Sequence, residues 1–318
     1  MTSETGEPQK KRGILTTKEG VAKLSIFAVS VLIVMKVVAS ILTGSISIRA
    51  DALHSIIDLS GVIIGFIGIR IAGRPPCEKH AFGHGKAENI AGFAISALIF
   101  VAAGIIVYKA VERLITGAVV ELVMVGIYVT VAAIAINVFV AWRALRVSKS
   151  EDSVALEAAG LHMLADVWSS IAVLVGLILV RFTGLNILDP IVALVVAVVI
   201  ARMAYFTMKK SFDGLMDTKL PEDEEEAIRS CIEEYSTQIA GFTELRTRKA
   251  GSQRYIQFQV AVPPNTSVYE AHMVCNQLEQ DIGKRLQPAS LTILIEPCTG
   301  DCDHCSAPCS LRKGDTLK

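Results

Sequence analysis

Charge is what this sequence has least of. Asp, Glu, Lys and Arg make up 19% of its 318 residues against 52% apolar, and the mean hydropathy is +0.50, too apolar for an ordinary water-soluble protein. The charge that is present cancels, with 31 basic and 31 acidic side chains, so nothing points to nucleic acid as a partner. No H-E-x-x-H occurs, which removes the hydrolytic zinc helix and a membrane metalloenzyme built on it. The opening MTSETGEPQKKRG, followed by TTKEG, has no short apolar core ending in a small-residue cleavage site. The expectation for residues 1–20 is a cytoplasmic tail rather than a signal peptide.

What is present is apolar length. Asn89–Tyr108 and Leu122–Ala141 are 20-residue stretches without a charged residue, each long enough to cross about 30 Å of hydrocarbon. Four further stretches are interrupted. Leu24–Leu42 carries Lys36, and Ser47–Ile71 carries Arg49, Asp51, His54, Asp58 and Arg70. Ser153–Val180 carries Glu157, His162 and Asp166, and Leu188–Met208 carries Asp189 and Arg202 near its ends. Helices that meet lipid all round would be uniformly apolar, so these read as interior helices lining a polar path. Lys36 is open between a counter-ion, a snorkelling side chain and a functional group. The result is a six-span transmembrane domain over residues 21–210.

Loop charge orients it. Basic residues gather before the first span (Lys10, Lys11, Arg12, Lys18, Lys23), between the second and third (Arg70, Arg74, Lys79, Lys86), between the fourth and fifth (Arg143, Arg146, Lys149) and after the sixth (Lys209, Lys210). The alternate connections TGSIS, TGAVVE and RFTGLNILD hold a single Arg. Positive-inside predicts a multi-pass protein of the cell (inner) membrane with both termini cytoplasmic. From 211 to 297 the composition turns soluble. LPEDEEEAI opens a helix with Pro221 near its start and acids where the helix dipole favours them, and Ile228, Ile232, Tyr235 and Ile239 form an apolar stripe. Strands are expected at Phe242–Lys249, Tyr255–Val262 and SLTILIE (290–296), with a helix over 267–286 before the last. The order αββαβ predicts a small cytoplasmic α+β domain of metallochaperone-like form.

The spacing that carries chemistry occurs twice. LHSIID (53–58) and LHMLAD (161–166) each place a His and an Asp at i and i+4, on one helical face. If the two helices face each other, His54, Asp58, His162 and Asp166 converge as an N2O2 donor set suited to Zn²⁺ and to relatives such as Cd²⁺ or Co²⁺. One isolated His would more readily be read as hydrogen-bonded within the bundle; two matched pairs in separate spans favour a metal.

These residues, in ADALHSIIDLSG and GLHMLADVWSS, together with HAFGHGKAEN, ELRTR and EAHMV, resemble the cation diffusion facilitator family, the six-span zinc-type exporters, over roughly residues 15–298. The resemblance implies a homodimeric, proton-coupled antiporter with alternating access that moves divalent metal out of the cytoplasm: Zn²⁺ first, with Cd²⁺, Co²⁺, Fe²⁺ and Mn²⁺ as further candidates. It places the transport site at His54, Asp58, His162 and Asp166, with His54 favouring zinc where some members carry an Asp and take Cd²⁺ more readily. A metal-sensing or metal-binding scaffold without transport is the alternative.

Further family positions follow. Cys77, His80 and His84 fall where some members bind metal in a loop, with Cys77 in place of an Asp; the bland reading is a basic loop that senses the bilayer surface. Lys86 and Asp217 match a pair that links protomers at the dimer contact. In the cytoplasmic domain Thr243 and Gln259 replace metal ligands, leaving only His272 and Glu296 of a binuclear site. Cys231 and Cys275 read as buried structural thiols. The tail (298–318) then gathers Cys298, Cys302, Cys305 and Cys309 around His304. A soft-metal site, an iron–sulfur cluster and an incidental cysteine-rich tail all remain open.

Overall fold

The computed structural model describes residues 16–43, 46–116, 124–183, 185 and 187–298, with the side chains of residues 43, 46–54, 57, 124–127, 177 and 181 outside that description. The chain divides into two compact units, Met1–Phe212 and Asp213–Lys318. The first holds long helices: α1 (Lys18–Thr43), α2 (Ile46–Ala72), α3 (Lys86–Thr116), α4 (Met124–Ser150), α5 (Val154–Thr183) and α6 (Leu188–Leu215), whose last turn enters the second unit. Among the described residues, five of these are long and apolar enough to cross a membrane. The sixth, α2, has the length, at 27 residues. The expected polytopic helical domain is therefore observed.

Their apolar side chains divide between core and surface. Close packing joins α1 to α2 and α4, α2 to α3 and α5, and α5 to α3 and α4. Alanine and glycine make the approaches close: a Cβ added to Gly68 would stand 2.4 Å from that of Ala91, so α2 and α3 meet there nearly backbone to backbone. Ile95, Ile99, Ala158, Ala159, Ile200 and Ala204 form a shared core of α3, α5 and α6. Large apolar side chains such as Phe27, Ile41, Tyr108 and Val198 point outward, as they do where the surroundings are hydrocarbon.

The helices outrun the apolar stretches that announced them. Lys86, expected in a loop, opens α3, and Arg143, Arg146 and Lys149 form the end of α4. Hydropathy marks only hydrocarbon thickness, whereas backbone hydrogen bonding continues into the headgroup zone, where long basic side chains extend to water. Trp142 marks that level, with the guanidinium groups of Arg143 and Arg146 at 5.7 and 5.4 Å from its ring.

The second unit has the expected order: α7 (Glu222–Glu233), β1 (Gly241–Ala250), β2 (Gln253–Val262), α8 (Val268–Arg285) and β3 (Ala289–Pro297). The sheet runs β1-β2-β3, with β1–β2 antiparallel and β2–β3 parallel. The parallel pair requires the α8 crossover, which starts on a capping box between Ser267 and Glu270. Ile256, Phe258, Val260 and Val262 alternate into a core with Ile228, Ile232, Leu278 and Ile282. The apolar stripe is helical only as far as Glu233; Tyr235 and Ile239 reach the same core from the turns that follow. Cys231 and Cys275 are buried, and desolvation pushes both thiols above their ordinary range.

Candidate metal centre

Two helices build the centre. His162 and Asp166 lie one turn apart on α5, and Asp58 faces them from α2. His162 Nε2 stands 3.6 Å from Asp58 Oδ1, and one ligand atom from each of Asp58, His162 and Asp166 falls within 4.8 Å of the others. Two N or O ligands of a tetrahedral ion, each about 2.1 Å from it, stand about 3.4 Å apart. The observed gap therefore fits bridging by one metal. His162 is 4% exposed and sits beside Met163 and Ala165, both buried. An imidazole and carboxylates in such surroundings are expensive without compensation. The backbone of His54 lies one turn before Asp58 on α2, and its side chain lies outside the described residues.

The charge balance fits a dication. The carboxylates of Asp58 and Asp166 with a neutral His162 would carry −2, so a divalent ion would leave the group neutral where dielectric is low. Lys36 of α1 donates to Ser55 Oγ at 2.9 Å. Ser55 follows His54 directly and precedes Asp58 by three residues, so this cation is held against the helix that carries the ligands. Ser55 was not singled out in the sequence, since a serine in an apolar run gives no signal.

Asp166 also lines a cavity of about 450 Å³. Its walls come from α3 (Ala102 to Arg113), α5 (Ala165 to Val173) and α6 (Ala193 to Ile200). In that wall, Arg113 Nη1 meets Asp189 Oδ2 at 2.9 Å. At the opposite end of the helices, the fully buried Glu88 accepts from Lys18 Nζ at 2.5 Å and from Ser153 Oγ at 2.6 Å. Lys210 of α6 reaches Glu157 of α5 at 2.6 Å. Sequence reading missed the Arg113–Asp189 and Lys18–Glu88 pairs because partners 76 and 70 residues apart share no local pattern.

Between α2 and α3 the chain brings a second set together. Cys77 Sγ lies 3.5 Å from His80 Nδ1 and 3.8 Å from His84 Nε2, with the two rings 4.6 Å apart. A tetrahedral zinc holding one thiolate and one imidazole separates S from N by about 3.6 Å. Paired backbone hydrogen bonds between Cys77 and His80, 3.2 and 3.0 Å, set the loop. Gly83, at φ 82°, turns it back in a conformation that side chains rarely adopt.

In the second unit the remnant ligands stay apart. His272 is exposed on α8 and Glu296 is exposed near the end of β3, and neither belongs to a metal-capable cluster among the described residues. Thr243 and Gln259 face each other across β1 and β2 and hydrogen-bond at 3.1 Å. Asp217 Oδ1 accepts from Arg248 at 3.3 Å; Lys86, in the other unit, opens α3. The Cys298 thiol is free and its N–H donates to Val262 at 2.9 Å, while Cys302, His304, Cys305 and Cys309 lie outside the described residues.

The chain matches two family profiles: the cation efflux transmembrane domain over residues 22–216 and the cytoplasmic domain of cation efflux proteins over 220–298. An uncharacterized transporter of Synechocystis sp. is 37% identical over 276 residues, covering 87% of this chain and 89% of its own length. The cation-efflux pump FieF of Cronobacter sakazakii is 32% identical over 270 residues (85% and 89%), and that of Shewanella oneidensis 31% over 276 (87% and 93%).

Proposed function

The chain belongs to the cation diffusion facilitator family of divalent-cation efflux transporters, and we propose that it exports Zn²⁺ in exchange for protons. The convergence of Asp58, His162 and Asp166 from two buried helix faces carries this reading, with His54 as the fourth ligand. Two nitrogen and two oxygen donors suit zinc in tetrahedral geometry better than they suit Mn²⁺ or Fe²⁺, which take more oxygen ligands. Metal and protons compete for the same lone pairs, because a ligand must be deprotonated to bind. Facing the cytoplasm, the site loses protons and takes up the ion. Facing outward, it takes protons and releases the ion, and the returning site is neutralised rather than crossing as bare carboxylates.

The loop charges support an inner-membrane protein with cytoplasmic termini. A homodimer joined by Lys86 and Asp217 is part of the same reading. Cys77, His80 and His84 form a surface zinc site whose thiolate favours soft ions. The four tail cysteines with His304 are, in the same reading, a further candidate site for a soft metal such as zinc or for an iron–sulfur cluster. In the second unit, Thr243 and Gln259 hydrogen-bond in the sheet where relatives place metal ligands, which argues against a binuclear regulatory metal built on His272 and Glu296. The experiment is metal loading of proteoliposomes under an imposed pH gradient. Zinc movement that tracks the proton gradient and vanishes in His162→Ala supports the exchange; zinc binding without flux would instead identify a sensing scaffold.

A further inference from the structure

We infer that Arg113 and Asp189 form the outer gate of the cavity that leads to the transport site. The inference rests on the export reading and its orientation, and on four observations that neither supplies. The cavity of about 450 Å³ has Asp166 in its wall together with Lys109, Glu112 and Arg113. Along α5 the wall runs from Asp166 through Ser169 to Val173, about 10 Å at 1.5 Å per residue, toward the end that loop charge places outside. Arg113 of α3 and Asp189 of α6 meet at that end at 2.9 Å, with 32% and 11% of their side chains exposed. Gly176 of α5 lies against the same carboxylate, where an added Cβ would stand 2.5 Å from Asp189 Oδ1.

Three helices therefore converge on one ion pair at the end of the cavity, where Arg113 is itself part of the wall. Gly176 is the space that lets Asp189 turn toward Arg113 instead of toward the lipid. The pair suits a gate because its strength depends on water. In a dry, low-dielectric position it holds α3 to α6; once water enters the cavity, the attraction falls severalfold and the helix ends can part. While closed, each partner neutralises the other, so the pair adds little net charge to the mouth. Neither Arg113 nor Asp189 touches the metal; both act on the path.

Ser169→Cys provides a reporter in the cavity wall. Intact cells producing this variant are treated with a membrane-impermeant thiol reagent, with a chelator present to keep metal off the new thiol. The gate is neutralised by the pair R113Q and D189N together, because removing one partner would strand the other charge in a poorly solvated place. Labelling is expected to be slow with the gate intact and about tenfold faster in the neutral pair, the effect of losing one partly buried ion pair. The reversed pair R113D and D189R keeps the attraction and should label slowly, with an unchanged gel-filtration profile confirming the fold. Equal rates in all three would overturn the gate, as would acceleration seen only when the reagent reaches the inner side. The rates require no metal flux. Absent zinc transport would defeat the export reading and leave them readable, whereas equal labelling would defeat the gate and leave export standing.

Discussion

Removing His162 should change the pH response of zinc binding by a countable number of protons. On the acid limb each imidazole that must shed a proton makes the apparent affinity fall about tenfold per pH unit. Two imidazoles give at most a hundredfold per unit, approached on the acid limb, and loss of one halves the slope of log affinity against pH. His162 is the ligand to remove because it is 4% exposed and 3.6 Å from Asp58, so no other described side chain replaces its nitrogen there. Calorimetric zinc titrations of purified protein and of His162→Ala between pH 7.5 and 5.5, the ordinary histidine range, supply the two slopes. Cys77→Ala with truncation after Pro297 removes the competing thiol sites from both proteins. The slope is expected to approach two for the parent at the acid end of that range and one for the variant. Parallel slopes, or zinc affinity indifferent to pH in the parent, would refute proton competition at this site.

Other perturbations have equally definite outcomes. His54→Asp replaces a nitrogen with a hard oxygen and should raise cadmium flux relative to zinc; an unchanged ratio would free His54 of a discriminating role. Truncation after Pro297 should leave flux intact while lowering the metal content of the purified protein; equal content in the two would rule out a tail site. Glu88→Gln removes the charge of a fully buried carboxylate that accepts from Lys18 and Ser153, costing about 3 kcal/mol. In thermal unfolding in detergent that corresponds to a fall of roughly 6–12 °C in Tm, and an unshifted Tm would show the pair to be replaceable by water.

Much of this architecture is written locally in the chain. A helix face repeats every three to four residues, so the His and Asp of α5 announce their common direction before any fold is known. Repetition of that spacing in α2 marks which faces must meet, and Asp58 does meet His162. The β2 strand is legible for the same reason: Ile256, Phe258, Val260 and Val262 alternate because one sheet face is core. The rest depends on distance. Helix ends ran past their hydropathy because lipid thickness and hydrogen bonding stop at different places, as Lys86 and Lys149 show. Glu88, Ser153, Arg113 and Asp189 are polar residues near span ends, ordinary to a linear reading. Only the packing of α3 against α5 and α6 turns them into ties and a gate.

The central claim is exchange of zinc for protons through the Asp58–His162–Asp166 centre. Proteoliposomes loaded with a zinc-sensitive dye, with the lumen made more acidic than the bath, test it directly. The side of the protein facing the acidic compartment then corresponds to the outside of the cell. Zinc should enter the lumen at a rate that rises with the pH difference, the lumen should become more alkaline in step, and both signals should disappear in Asp166→Ala. Zinc entry at the same rate without a pH difference, or with no proton movement, would contradict the account.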